Sequence, residues 1–138
     1  MTMPAGNYYI GDLCYVFDDT EWDEFCQLTI KGQECLDGEF TMEDGRRFAT
    51  YGTFYGDGEY TSNMGTKHCV DAGIIGCVLV SDIRANKYAD MSNLGAIINF
   101  NEPFNTSEVN GKIHIGHVVI DTKEEYYDSL YDECEYDE

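Results

Sequence analysis

The chain has 138 residues and a mass of 15.7 kDa, the size of one ordinary domain. Hydrophobic residues make up 43% of it and aromatic residues 14%, which excludes a fully disordered chain. Its 27 acidic and 8 basic residues give a net charge of -19, which disfavours direct contact with nucleic-acid phosphates or anionic membranes.

The N-terminal region carries no recognisable targeting signal, because the first basic residue is Lys31. The longest apolar run is residues 72–80, whereas a membrane-spanning helix needs about 20 residues. We therefore expect a cytoplasmic protein. In a reducing cytoplasm the cysteines are expected to be buried thiols, with disulfides as the alternative in an oxidising compartment. The six are Cys14, Cys26, Cys35, Cys69, Cys77 and Cys134.

The first third of the chain is predicted to form one strand and one helix. Residues 7–10 form a short aromatic strand, and residues 14–17 either extend it or re-enter the sheet. Residues 21–30 form the helix, because apolar side chains recur there at helical spacing. Those side chains are Trp22, Phe25, Cys26 and Ile30. Three acidic residues, Glu21, Asp23 and Glu24, lie in the first turn, where the helix dipole favours negative charge. The N-cap candidates are Asp18, Asp19 and Thr20.

After residue 32 the apolar pattern has the period of two that is typical of strands. Strands at 38–42 and 46–55 are predicted to form a hairpin at Asp44–Gly45. The second is expected to be central, because it is apolar on both faces: Phe48 and Phe54 on one, and Ala49, Tyr51 and Tyr55 on the other. Further strands are predicted at 59–62, 67–70, 74–80, 94–100 and 112–121.

The last predicted strand changes phase in its middle. Ile113 and Ile115 alternate with polar residues, and Val118 and Ile120 do so out of step, so we expect a β-bulge at Gly116. Residues 101–110 are predicted to be a polar loop.

These elements predict a mainly β (α+β) fold, an antiparallel small barrel or sandwich with one packed helix. Residues 1–121 form the single β-rich domain, and residues 122–138 are an acidic tail. Residues 121–138 contain nine acidic residues and one lysine. Tyr127, Leu130, Tyr131 and Cys134 recur there at helical spacing, so the tail is either extended or an amphipathic helix that orders on a partner.

Several segments, taken in order, resemble one protein family. They are MPAGNYYIGDLCYVF, EWDEFC, GEF, DGRRFATYGTFYGDGEY and VDAGIIGCVLVSDI, and they span roughly residues 4–83. The family consists of small accessory proteins of T-even-like tailed phages and some bacteria. The resemblance implies the cytoplasm of an infected bacterium and an accessory role, and it implies no catalytic residue.

Four carboxylates lie beside glycines or at strand ends, namely Asp12, Asp57, Glu59 and Asp71. If they converge, they could bind Mg²⁺ or Ca²⁺ or act as an acid and base pair. The alternative is that they cap turns, as Asp beside Gly often does. The sequence leaves enzyme activity open but favours a non-catalytic protein without a cofactor.

Other candidate chemistry is weaker. His114 and His117 point to opposite faces of a strand unless the bulge redirects one of them, and His68 and Cys69 could complete a zinc site. A Cys69–His117 pair is a further possibility, with buried thiols as its alternative. The aromatic residues Tyr8, Tyr9, Tyr51, Phe54, Tyr55 and Tyr60 could form a stacking platform. Such a platform needs nearby cations, and only Arg46 and Arg47 are close in sequence, so core and turn packing is favoured.

The acidic surplus is the strongest functional signal. It predicts binding to a basic host or phage protein, as a nucleic-acid mimic or inhibitor, through an acidic face of the tail. The predicted face consists of Glu124, Glu125, Tyr127, Asp128, Tyr131, Asp132, Glu133 and Glu135. The alternatives are a small metal-dependent enzyme that uses the four carboxylates, and a structural virion component. The sequence does not indicate an oligomeric state.

Overall fold

A computed structural model describes residues 2–87 and 93–123. In chain order the strands are β1 (Gly6–Gly11), β2 (Ile30–Lys31), β3 (Glu34–Cys35), β4 (Gly38–Thr41), β5 (Arg47–Gly52), β6 (Gly58–Thr61), β7 (Lys67–Val70), β8 (Ile74–Leu79), β9 (Ala96–Phe100), β10 (Thr106–Val109), β11 (Lys112–Ile115) and β12 (Val118–Asp121). Helix α1 is Asp19–Thr29, and three 3-10 turns lie at Leu13–Tyr15, Val80–Asp82 and Ala85–Lys87.

The centre of the fold is a five-stranded antiparallel sheet in the order β4-β5-β8-β1-β9. Its inner strands alternate between two buried faces, so Tyr8 and Ile10 of β1 face one side and Tyr9 faces the other. The sheet does not close on itself, because β4 and β9 remain its edges. The fold is mainly β and fits the sandwich form of the prediction, not the closed barrel.

Different layers cover the two faces of this sheet. The β10–β11–β12 sheet and the β6–β7 hairpin contribute apolar side chains to the core on one face, and a bridge between Ser62 and Ile120 joins them. Helix α1 packs on the opposite face, where Phe25 lies against Phe48 of β5 with ring centroids 5.2 Å apart. The predicted packed helix is therefore confirmed. Among the described residues, no helix is both long and apolar enough to cross a membrane.

Asp18 starts α1 through a capping box. Its carboxylate accepts the N–H of Glu21 at 2.8 Å, and the Glu21 carboxylate accepts the N–H of Asp18 at 2.8 Å. This arrangement satisfies donors that have no partner within the helix. The predicted helix is confirmed with a start two residues earlier, and Asp18 is the N-cap among the three candidates.

The Asp44–Gly45 hairpin and the central position of β5 are confirmed. Three other local predictions are wrong. Residues 14–17 are not a strand, because Leu13–Tyr15 is a 3-10 turn whose N-cap is Asp12. Strand β5 ends at Gly52, so Phe54 and Tyr55 lie outside the sheet and are exposed. The loop 101–110 contains β10, which pairs with β11, and Thr106 at its start hydrogen-bonds to Tyr51 and Glu39.

The predicted bulge at Gly116 is also wrong. Residues 112–121 form two strands, β11 and β12, and Gly116 and His117 make the tight turn between them. Gly116 has a φ of 59°, a left-handed conformation that glycine adopts without strain. A two-residue turn explains the phase change in the apolar pattern as well as a bulge does.

The cysteines occupy different environments. All five that the structure describes are free thiols, and only Cys77 is buried. Cys14, Cys26 and Cys69 are partly buried, and Cys35 is exposed, so the expectation of uniformly buried thiols is wrong. Cys134 lies outside the described residues.

Candidate functional site

An open groove of about 740 Å³ runs between the outer face of α1 and the end of the edge strand β4. We call it the acidic groove, and its lining residues are Thr20, Asp23, Glu24, Gln27, Leu28, Thr41 and Glu43. Three of these residues carry carboxylates, and none is lysine or arginine. The groove therefore presents negative charge on both of its walls.

The two walls of the acidic groove come from distant parts of the chain. Thr20, Glu24 and Gln27 recur at helical spacing, so α1 presents them on one side. Oε2 of Glu24 accepts the backbone N–H of Glu43 at 2.6 Å, which fixes the second wall against the helix. The groove is thus a consequence of α1 packing beside the β4–β5 hairpin.

The arginines near the start of α1 are engaged by other carboxylates. Glu21 has only 2% of its surface exposed, and its Oε2 accepts hydrogen bonds from Arg46 and Arg84. Arg46 also pairs with Asp44 at 2.8 Å, and Arg84 pairs with Asp18 at 3.0 Å. Arg46 and Arg84 are therefore paired with carboxylates that do not line the acidic groove.

The structure gives the four predicted carboxylates separate roles. Asp12 is fully buried and accepts three backbone N–H groups: Cys14 at 2.9 Å, Asp71 at 2.8 Å and Ala72 at 2.6 Å. The Asp71 and Asp57 side chains are exposed, and Glu59 lies 3.9 Å from Lys67 in an ion pair. Among residues 2–87 and 93–123, no three or more His, Cys, Asp or Glu residues are placed to hold a metal ion.

Burial governs the protonation of Asp12 and its neighbours. It raises the pKa of Asp12, although the three backbone N–H groups act in the opposite direction. Burial and the adjacent Asp12 carboxylate raise the pKa of the Cys14 thiol far above its usual range. Cys14 is therefore a poor nucleophile, because the thiolate is the reactive form.

The three histidines also occupy different environments. His68 is fully buried, and burial lowers its pKa to about 4, so it is neutral near pH 7. Its Nδ1–H donates to the carbonyl of Ile10 at 3.0 Å, and its Nε2 accepts the Thr66 hydroxyl at 2.9 Å. His114 lies on β11 and is partly exposed, and His117 packs on Phe100 with ring centroids 5.3 Å apart.

The six candidate residues for a stacking platform divide into two groups. Tyr8, Tyr9, Tyr51 and Tyr60 are buried in the cores. Phe54 and Tyr55 are exposed beside each other, and the Lys123 ammonium lies 5.0 Å from the centroid of Phe54.

The predicted acidic face of the tail lies outside the described residues; it comprises Glu124, Glu125, Tyr127, Asp128, Tyr131, Asp132, Glu133 and Glu135. The fold and the groove define a mainly β protein with an acidic surface groove. Comparisons with protein-family models, curated proteins and solved structures found no match to the chain.

Proposed function

We propose that the protein is a non-catalytic accessory protein that binds a basic segment of another protein in the acidic groove. The observation that carries the proposal is the lining of that groove. Asp23 and Glu24 of α1 and Glu43 of the β4–β5 turn line it, and among the described residues no lysine or arginine does. A positively charged segment would gain favourable electrostatic energy there and would also be steered towards it.

The shape of the acidic groove suits an extended segment. It is lined by residues from Thr20 to Leu28 of α1, and its volume of about 740 Å³ lies within the range of sites that hold a drug-sized molecule. Leu28 offers apolar contact for the stems of lysine or arginine side chains, which pack on apolar surface while their charged ends remain solvated. We expect recognition through both charge and side-chain packing.

The acidic tail is proposed to extend this surface. Its carboxylates, from Glu124 to Glu135, would add negative charge, and Tyr127 and Tyr131 would anchor an interface. Together with the resemblance to phage accessory proteins, this favours a host or phage partner in the cytoplasm of an infected bacterium. A protein of this charge could occupy the nucleic-acid site of such a partner as a mimic or inhibitor.

A fluorescently labelled lysine-rich peptide tests the proposal by anisotropy at low and high salt. We expect affinity to fall steeply with salt, because exposed charge pairs are screened. The groove variant Asp23→Asn/Glu24→Gln/Glu43→Gln should weaken binding by about tenfold or more at low salt.

The matched control removes the same three charges elsewhere. Asp57→Asn/Asp71→Asn/Glu102→Gln changes exposed carboxylates that do not line the acidic groove. Equal loss in the two variants would show that only net charge matters and would overturn the proposal.

A truncation tests the contribution of the tail. It must begin after Lys123, because Thr122 is buried and hydrogen-bonded to Gly111 and Phe54. Weaker peptide binding by the shortened chain is the expected result. Unchanged binding would confine the interaction to the groove and remove the tail from the proposal.

A further inference from the structure

A second cavity, which we call the inner cavity, lies between α1, the β2–β3 hairpin and strand β5. Its volume is about 170 Å³. It is lined by Trp22, Phe25, Cys26, Thr29, Ile30, Cys35, Leu36, Asp37, Thr50, Gly52, Ala72, Gly73 and Ile74. A cavity of about 150 Å³ accommodates a benzene ring, so this one has room for a compact aromatic molecule.

The strand register places Thr50 in a row of glycines across the central sheet. Thr50 of β5 pairs with Gly38 of β4 on one side and with Gly76 of β8 on the other. The same row continues to Gly11 of β1. Three of these four positions carry no side chain. A Cβ on Gly38 would meet nothing within 4 Å, whereas Cβ atoms on Gly76 and Gly11 would clash with the Ala49 backbone and the Tyr9 side chain.

Thr50 places a polar group in this apolar setting. Thr50 has only 2% of its surface exposed, and its Oγ1 has no hydrogen-bond partner among the described residues. Phe48, two residues earlier on the same strand face, packs in the core beneath α1, so Thr50 also faces the helix side. A buried hydroxyl without a partner costs free energy, and a ligand that bonds to it would recover that energy.

The rim of the inner cavity is acidic. Asp37 is exposed there, and its Oδ1 accepts the N–H of Gly52 at 3.0 Å. Gly52 and Thr50 lie two residues apart on β5, a separation of about 7 Å along a strand. In the described part of the chain, no lysine or arginine lines the cavity. The site therefore favours a cation at its rim and disfavours anions.

We propose that the inner cavity binds a small aromatic amine with a polar atom on the ring far from the amine. The ammonium would pair with Asp37, the ring would lie among Trp22, Phe25 and Ile74, and the polar atom would hydrogen-bond to Thr50. This inference is independent of the acidic groove, because the two sites share no lining residue.

Four probes of similar size test the proposal, with Trp22 as the reporter. Trp22 is the single tryptophan of the chain, so its fluorescence, excited where phenols do not absorb, reports occupancy. Tyramine carries both polar ends, phenethylamine lacks the hydroxyl, 4-ethylphenol lacks the amine, and 4-hydroxyphenylacetate replaces it with a carboxylate. We expect saturable tyramine binding, about tenfold tighter than phenethylamine or 4-ethylphenol, the effect of one net hydrogen bond or charge contact.

Two variants assign the ends of the ligand. Thr50→Val should lower tyramine affinity to that of phenethylamine and leave phenethylamine binding unchanged. Asp37→Asn, whose amide oxygen can still accept the Gly52 N–H, should lower tyramine affinity to that of 4-ethylphenol. Neither change should cost stability. Thr50 Oγ1 makes no hydrogen bond in the described structure that Thr50→Val could remove, and Asp37→Asn keeps the acceptor for the Gly52 N–H.

Thr29→Val is the matched control, because the Thr29 hydroxyl already donates to the Phe25 carbonyl at 2.8 Å. It should leave the preference for tyramine over phenethylamine unchanged. Cys35→Phe, at an exposed position on the rim, should block binding. The proposal is overturned if no probe binds saturably, if tyramine and phenethylamine bind equally, or if 4-hydroxyphenylacetate binds as tightly as tyramine. Tyramine binding that survives the triple substitution of the acidic groove would separate this site from the proposed function.

Discussion

Asp12 joins two distant segments through a single buried carboxylate. It accepts N–H groups from the 3-10 turn beside it and from residues 71 and 72, between β7 and β8. We predict that Asp12→Ala lowers the free energy of unfolding by about 3 kcal/mol or more, because three buried donors lose their acceptor. Urea denaturation measures the change.

The control for Asp12 is Asp71→Asn. The Asp71 side chain is exposed, so its substitution should change stability by no more than about 0.5 kcal/mol. If Asp12→Ala were as well tolerated as Asp71→Asn, the structural role of Asp12 would be wrong and a catalytic or metal role would regain support.

His68 is predicted to make stability depend on pH. Its pKa falls from 6.5 to about 4 on folding, so between these values the unfolded chain binds more protons than the folded one. Its contribution is therefore fully present above pH 6.5 and is lost as the pH falls towards 4. The loss amounts to about 3 kcal/mol.

Comparison with His68→Gln isolates this contribution. The pKa of the buried Asp12 is raised, so that group acts in the opposite sense as the pH falls, in both proteins. Urea denaturation from pH 7 to pH 4 should show the wild type losing stability relative to His68→Gln. Parallel curves for the two proteins would contradict the assignment of His68 as a neutral buried group.

At the scale of elements, the β11–β12 turn depends on a glycine for two reasons. A Cβ on Gly116 would lie 2.6 Å from Cε2 of Phe100, in addition to the strain of a φ of 59°. Gly32 between β2 and β3 has a similar φ of 65°, but a Cβ there would meet nothing within 4 Å. Comparing substitutions at Gly32 and Gly116 therefore separates the cost of backbone strain from the cost of side-chain crowding.

We predict that Gly32→Ala costs about 1 kcal/mol, the strain of a left-handed residue. Gly116→Ala should cost about 2 kcal/mol more, because the Phe100 ring must move. Thermal or urea unfolding of the two variants measures the difference. Equal costs would mean that Phe100 adapts freely, contrary to its place in the packed core.

Local patterns predicted those elements whose side chains alternate clearly between core and solvent. Helix α1 and strand β7 were predicted closely, and β7 matches at both ends. Strand β10 was missed because its side chains are partly exposed or exposed, so it has no clear apolar alternation. A local signal was present nevertheless, because β10 pairs with β11 through a two-residue Asn110–Gly111 turn, in which both residues have positive φ.

The candidate site shows the same limit. Helical spacing places Thr20, Glu24 and Gln27 on one face, so half of the acidic groove could be inferred from the sequence. The other half could not, because Thr41 and Glu43 reach α1 only through the packing of the β4–β5 hairpin.

At the scale of the whole molecule, the positive charges are distributed unevenly among the carboxylates. Arg46, Arg47 and Arg84 all lie within ion-pairing distance of carboxylates, so little free positive charge remains among them. Among the residues that the structure describes, no lysine or arginine lines the acidic groove. In a protein with a net charge of -19, this asymmetry supports our proposal that a basic partner binds on the side of the acidic groove.

Amide NMR spectra of the full chain, recorded during titration with the lysine-rich peptide, test the central claim most directly. Our account predicts that the shift changes in the folded domain concentrate on residues 20–28 and 41–43, and that high salt removes them. Changes of equal size around the exposed Asp57, Asp71 and Glu102, or no change along α1, would contradict it.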